Sequence, residues 1–224
     1  MCSINIISSA SIMLKPSVHI NRKKFKIMKE IGEGGFAFVY QVSAKDRKSV
    51  NHYALKKIIC ESDEQYLEAM TELNMLSTLQ SKNSLHILRL VDSSVTINSR
   101  HQKIIHILTE LCTCSIQNII DRGCKVYNGA CLSFGYPHCP FFDGLDAIMI
   151  LRQISEALYV LHDSGYQHGD LKPANILLRE NFQAVLSDFG SVIALPHRIS
   201  SRNEAACMEE TAARLSTGIS ILIS

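Results

Sequence analysis

The sequence predicts an α+β protein, with strands in its first half and helices after them. Three observations carry that expectation. Short apolar runs, several alternating with polar residues, recur between Lys24 and Leu108. Two longer stretches, 62–79 and 145–162, repeat apolar residues at helical spacing. A polar run, His168 to Asn175, leads into the apolar Ile176-Leu177-Leu178.

Composition bounds the classes available. Of 224 residues, 46% are apolar and 20% charged, enough for one sizeable core or two small ones. The net charge of +2 gives no strong field for nucleic acid or a membrane surface, so no nucleic-acid partner is expected. Apolar runs such as Ala147–Leu151 are far too short to span a bilayer. The first residues lack a basic leading segment, so no secretory signal is expected. The eight cysteines then read as reduced thiols of an intracellular, cytoplasmic protein. Cys112, Cys114, Cys124, Cys131 and Cys139 cluster, with His138 beside the last, but their spacing fits no zinc ribbon or finger.

Residues 1–22 show no clear periodicity and read as a flexible lead-in. Cys2 stands where a myristoylated chain would have glycine; membrane contact is expected only if Cys2 is acylated. Phe25, Ile27 and Ile31 suggest a first strand over 24–31, and 38–43 a second. Between them, Gly32-Glu33-Gly34-Gly35-Phe36-Ala37 lets the backbone turn tightly enough for N–H groups to face phosphates. His52 to Ile59 alternates as a third strand, on which Lys56 and Lys57 point to opposite faces.

Ser62-Asp63-Glu64 then caps a helix carrying Leu67, Met70, Leu73, Leu76 and Leu79 as its apolar stripe. Ile87–Val91 and Lys103–Leu108 complete a set of five strands. Residues 113–143 begin as a short helix and become a loop containing Gly, Cys and Pro. Helix 145–162 presents Ile148, Leu151, Ile154, Leu158 and Leu161 on one face and stops at Gly165.

The chemistry concentrates in His168-Gly169-Asp170-Leu171-Lys172-Pro173-Ala174-Asn175. Asp170 can accept a proton from a hydroxyl, Asn175 can offer an amide oxygen to a hard cation, and Lys172 between them can neutralise phosphoryl charge. Asp188-Phe189-Gly190 follows behind the apolar Ala184-Val185-Leu186. In motif order and spacing, residues 24–190 resemble a eukaryotic protein kinase. The forms Gly-Glu-Gly-Gly-Phe-Ala-Phe-Val-Tyr, Tyr-Ala-Leu-Lys-Lys-Ile, Ile-Leu-Arg-Leu-Val and Asp-Phe-Gly-Ser are most similar to the Numb-associated kinase family. The nearest branch is the myristoylated and palmitoylated serine/threonine kinases.

The resemblance implies a two-lobed fold: a β-rich N-lobe with one main helix and hinge over 23–112, and a partial helical C-lobe over 113–190. It implies a Mg²⁺-dependent protein serine/threonine kinase that moves the ATP γ-phosphate to a protein hydroxyl. The Lys-Pro-Ala-Asn loop favours Ser/Thr over Tyr. Asp170 would be the base and Lys172 its neighbour in catalysis. Lys56 would pair with Glu72, with Glu68 one turn earlier as the rival. Asn175 and Asp188 would hold Mg²⁺. The nucleotide would lie among Ile31, Gly32, Glu33, Gly34, Gly35, Phe36, Ala37, Val39, Ala54, Lys56, Thr109, Glu110, Cys112 and Leu177. Thr109 would guard the back of the adenine pocket, and Glu110 and Cys112 would offer backbone groups to the purine.

Three positions depart from the pattern. Ala37 replaces the third glycine of the loop. Gly169 stands where kinases usually carry an Arg that pairs with an activation-loop phosphate, so that form of control is not implied. Residues 191–224 read as a shortened activation segment and a divergent tail with no Ala-Pro-Glu, as in a truncated isoform or fragment. A chain without the remaining C-lobe helices could instead be an inactive nucleotide- or partner-binding module.

Overall fold

In the computed structural model, the described residues are 16–34, 37–45, 49–122 and 144–195. The expectations for residues 1–15, the insertion from 123 to 143 and the tail from 196 lie outside them, as do those for Gly35 and Phe36.

The upper half is one antiparallel sheet. Its strands are β1 (Ser17–Ile20), β2 (Lys23–Gly34), β3 (Ala37–Lys45), β4 (Val50–Cys60), β5 (Leu90–Ile97) and β6 (Lys103–Glu110), in the order β1-β2-β3-β4-β6-β5. The expected five strands are joined by a sixth. Residues 17–20, expected in a flexible lead-in, form β1, because Ile20 is fully buried with Phe25, Val42, Leu55 and Leu108 on one face of the sheet. The turn into β2 carries Asn21 at positive φ, where Asn is tolerated. Its side chain donates to Asp92 Oδ1 at 2.7 Å and to the Ser93 carbonyl at 3.0 Å, fixing the hairpin to β5.

Helix α1 (Asp63–Gln80) starts where the capping residues place it. Ser62 accepts from the Gln65 N–H, and the Gln65 side chain accepts from the Glu61 N–H, a reciprocal arrangement that satisfies two amide donors. The expected stripe needs correction at its start: Leu67 is 63% exposed. Steps of three residues fall about 60° short of a full turn, so such a stripe winds off the buried face. The buried residues are Ala69, Glu72, Leu73, Met75, Leu76 and Leu79, and the expected Met70 packs beside them, half-buried.

The strand expected over 87–91 starts late, at Leu90. The backbone of 86–88 bonds instead to Leu186 in the lower half: Leu186 N–H to the His86 carbonyl at 2.8 Å, and Leu88 N–H to the Leu186 carbonyl at 2.9 Å.

The lower half contains β7 (Cys114–Ser115), α2 (Ile116–Arg122), α3 (Gly144–Asp163), β8 (Tyr166–Gln167), β9 (Ile176–Leu178), β10 (Ala184–Leu186) and β11 (Ile193–Ala194). β9 lies between β10 and β7, and β11 pairs with β8. Helix α3 buries Ile154, Ala157 and Leu161, with Ile150 and Leu158 packed beside them. Those positions recur at helical period. Ile148 and Leu151, expected on the packed face, are instead 62% and 67% exposed. The helix is apolar on more than one face, and composition alone did not separate the two. It ends as expected at Gly165, whose positive φ suits a helix stop. One continuous apolar cluster joins α1, β4, β6, α3, β9, β10 and Phe189, and the charged site lies beside it.

Candidate active site

Register on β4 decides which lysine enters the site. Leu55 packs into the cluster on one face of the sheet, while Ile58 and Cys60 pack into the other, beneath α1. Lys56 shares the face of Ile58, and Lys57 points away. Lys56 Nζ donates to both Glu72 oxygens, at 2.8 and 2.7 Å, and to Asp188 Oδ1 at 3.2 Å. Glu72 thus meets Lys56; Glu68, one turn back, is exposed.

Burial opposes charge on the Lys56 ammonium, but the carboxylates of Glu72 and Asp188 outweigh it and hold the lysine above its ordinary value. Burial also pushes Glu72 upward, against the pull of Lys56 and with the charge of Asp188. The geometry favours the ion pair, since both carboxylate oxygens accept from one ammonium.

Asp188 reaches this position through its backbone. It sits at φ 63° and ψ 75°, at the turn out of β10, and the adjoining Phe189 is fully buried. A non-glycine residue in that region is held there by its surroundings, a feature that concentrates at functional sites.

The polar loop forms a second network. Asp170 accepts from Lys172 Nζ at 2.6 Å and from Asn175 Nδ2 at 3.1 Å, both through Oδ2. Asn175 Nδ2 also donates to the Asp170 carbonyl at 2.8 Å. Behind them lies His168, buried, with its ring 5.4 Å from that of Phe189. Its Nε2 lies 3.0 Å from the Ser187 carbonyl, which can only accept, and its Nδ1 accepts from the Asp170 N–H. Those partners fit the neutral ring protonated at Nε2. Burial lowers the pKa of His168 to match, against the pull of the Ser187 carbonyl and nearby carboxylates. The Ser187 N–H and hydroxyl both donate to the Asn175 carbonyl at 2.9 Å. The two short polar motifs are therefore joined through backbone, thirteen positions apart in sequence.

Around these charges lie residues of the expected nucleotide pocket. Gly32, Glu33 and Gly34 on β2 pair with Val39, Phe38 and Ala37 on β3. Val39 pairs with Lys56, and Ala54 with Thr109. Thr109 is buried; Ile31 lies at an irregularity of the β2–β3 ladder and is exposed. Leu177 comes from β9, opposite Val185 and Ser115. The Cys112 thiol is pushed up to about 12 by burial and the Glu110 charge, so it is protonated and unreactive at neutral pH.

The donor set fits a hard dication. Asp188 offers a carboxylate and Asn175 an amide whose nitrogen is turned to Asp170, directing the oxygen away from it. Among the described residues, no group of three or more His, Cys, Asp or Glu is placed to hold a metal alone. A cation between these two would complete its shell with phosphate and water oxygens.

Sequence reasoning used Glu110 only for its backbone and missed its side chain. Arg179 Nε and Nη2 reach its two carboxylate oxygens at 2.9 and 2.7 Å. The partners are sixty-nine positions apart, and no local pattern links them.

The protein kinase domain family matches residues 25–211. The chain belongs to the protein kinase family. It is 30% identical over 201 residues to serine/threonine-protein kinase 16 of Mus musculus, covering 90% of this chain and 60% of that protein. A probable serine/threonine-protein kinase of Dictyostelium discoideum is 30% identical over 164 residues, 72% of this chain and 42% of that protein. The kinase ppk13 of Schizosaccharomyces pombe is 27% identical over 218 residues, with 87% and 62% covered. The kinase chain thus spans less than two thirds of the length of each of these relatives. Its α+β architecture, a β-rich lobe over a lower half with few helices, is that of the family.

Proposed function

We propose that this kinase domain transfers the γ-phosphate of ATP to serine or threonine hydroxyls of a protein substrate, with Mg²⁺. One observation carries the reading: Lys56 bridges Glu72 on α1 and Asp188 beyond β10, so sheet, helix and metal-binding turn are assembled at once. In the family this pairing and the Asp beside it must both be in place for transfer.

The charges support a cation. Lys56 and Lys172 face Glu72, Asp170 and Asp188, an excess of one negative charge before nucleotide arrives. Bound Mg-ATP would supply the transferable phosphoryl group and the metal's charge. Asp170 would accept the proton of the attacking hydroxyl. Lys172, already on Asp170 Oδ2, would hold charge at the same point. Asn175 and Asp188 would hold the cation, and Lys56 would pair with phosphate oxygens. The Lys-Pro-Ala-Asn loop and the names of the relatives support Ser/Thr specificity. The glycine-rich and Asp-Phe-Gly-Ser forms support the narrower placement among Numb-associated kinases.

The test is transfer of labelled phosphate from ATP to a generic protein substrate, beside Asp170→Ala. Transfer in the parent chain that is lost in the variant is the expected result. Mg-ATP binding without transfer would replace the enzyme reading with that of a nucleotide-binding module.

A further inference from the structure

Arg179 follows β9 directly, and its guanidinium holds three separate parts of the chain. Nε and Nη2 grip the Glu110 carboxylate, at 2.9 and 2.7 Å. Nη1 donates to the Leu85 carbonyl at 2.6 Å and to Gln183 Oε1 at 3.1 Å. Glu110 is anchored from above as well. Its Oε1 accepts from the Arg89 N–H at 2.9 Å, and its own N–H donates to the Arg89 carbonyl at 3.0 Å. The Arg179 and Glu110 side chains are only 20% and 14% exposed. Burial pushes Glu110 upward, but the bonds from Arg179 and the Arg89 N–H outweigh it and hold the carboxyl below its usual range.

The neighbouring residue completes the pattern. The Thr113 N–H donates to the Leu178 carbonyl at 2.8 Å. The connection between the two halves, residues 110–113, is thus fastened at both ends to consecutive residues of the lower half. Leu178 holds one end by its backbone, and Arg179 holds the other by its side chain. A bidentate fork fixes direction as well as distance, which a lysine does not. Between the two fastenings lie Glu110 and Cys112, whose backbone groups the kinase resemblance turns toward the purine.

We propose that Arg179 is a positioning residue for the nucleotide: through Glu110 it fixes the backbone of 110–112 against the lower lobe and so sets affinity for the adenosine part of ATP, not the rate of phosphoryl transfer. The inference rests on the nucleotide-binding reading above. Arg179 touches neither Asp170 nor Asn175 in the network described, so the two effects are separable.

The experiment compares the full chain with Arg179→Met, which keeps the stem and removes the fork, and with Arg179→Lys. Binding of Mg-ATP and of adenosine is measured by calorimetry, and KM and kcat for ATP by phosphotransfer. Arg179→Met is expected to raise both dissociation constants and KM by about tenfold, the scale of a lost charge-assisted contact, with kcat unchanged. Arg179→Lys should recover only part of the loss. Glu110→Gln should reproduce the binding loss, and adding Arg179→Met to it should cost little more, since the two act through one contact. Glu110→Gln also serves should Arg179→Met not fold. Wild-type affinity for both ligands in the folded variants, or a fall in kcat at constant KM, would overturn the assignment. A parent chain that binds no Mg-ATP would overturn the nucleotide reading itself and this role with it.

Discussion

Replacing Glu72 with Gln tests the ion pair on which the site is built. The substitution keeps the shape of the side chain and removes its charge. Breaking a buried pair by removing one partner costs roughly 3–5 kcal/mol when the other charge is stranded. Here it is not stranded, for two reasons visible in the geometry. Lys56 keeps Asp188 Oδ1 at 3.2 Å, and its side chain is 25% exposed. The new amide oxygen can also still accept one bond. The stability loss should therefore fall to about 1–2 kcal/mol, a drop of roughly 2–8 °C in Tm for a chain of this size. Activity should suffer more than stability. Without Glu72, the ammonium would swing toward Asp188 and compete for the carboxylate that the proposed Mg²⁺ would use. A hundredfold fall in kcat/KM corresponds to about 2.7 kcal/mol, and the loss should be at least that. Phosphotransfer and thermal melts on the same samples read the two effects separately. Glu68→Gln is the control: that side chain is exposed, so its change should stay within about 0.5 kcal/mol. A fully active Glu72→Gln, or an equal loss in Glu68→Gln, would refute the assignment of the pair.

Further expectations follow from other parts of the molecule. Gly169 has φ +77°, and a Cβ there would run into the Ser191 carbonyl oxygen, whereas Gly165 at φ +85° faces open space. Gly165→Ala should therefore cost only the backbone term, about 1–2 kcal/mol, and Gly169→Ala more, with the excess read in chemical denaturation and in faster amide exchange over 193–195. Ile20→Ala should cost about 2–4 kcal/mol in the same assay, because Ile20 is a fully buried member of the upper core; a neutral result would return residues 17–20 to the status of a lead-in. The Glu110 carboxyl is held below its unfolded value, so its contribution is present above about pH 4.5 and is lost as pH falls through the folded pKa. Glu110→Gln should accordingly flatten the acid limb of the stability–pH curve and leave the limb above pH 7 unchanged in slope.

The parts of this fold legible in the sequence are those written in local patterns. Strand alternation placed β2, β3, β4 and β6, and the Ser62 cap placed the start of α1 to within a residue. The choice of Lys56 over Lys57 rested on the resemblance of Tyr-Ala-Leu-Lys to the kinase strand, and period two only put Lys57 on the other face. Glu72 came from the order of motifs, since its helix also carries Glu64 and Glu68. What escaped depends on contacts between distant segments. β1 is short, and its one fully buried residue, Ile20, stands between His19 and the turn residue Asn21, so its pattern resembles a polar leader. Ile87 and Leu88 are apolar enough for a strand, yet the backbone of 86–88 turns to the lower half because Leu186 offers it a partner. The faces of α3 could not be ranked because both are apolar.

The same distinction separates two kinds of charged residue in this kinase domain. Lys56 couples Glu72 to Asp188, and Lys172 holds Asp170 in a second network, so each is held by charges that Mg-ATP would also engage. Such an arrangement is poised: arrival of the proposed dication and polyphosphate would redistribute contacts that already exist. Arg179 and Glu110 differ in kind. Their bonds are complementary in direction, with each Glu110 oxygen occupied by a guanidinium nitrogen, and Leu85 and Gln183 taking bonds from Nη1. A pair satisfied in that way gains nothing by rearranging, which suits a fastening and not a reacting group. High salt should therefore weaken Mg-ATP binding through the exposed Asp188 and Lys172 while leaving the Arg179–Glu110 contact in place, because screening acts on exposed charges and little on buried pairs. Amide exchange at Thr113 and Glu110, followed from low to high salt without nucleotide, should stay constant; loss of protection at both would show that the fastening is electrostatic at long range and not a fixed hydrogen-bonded fork.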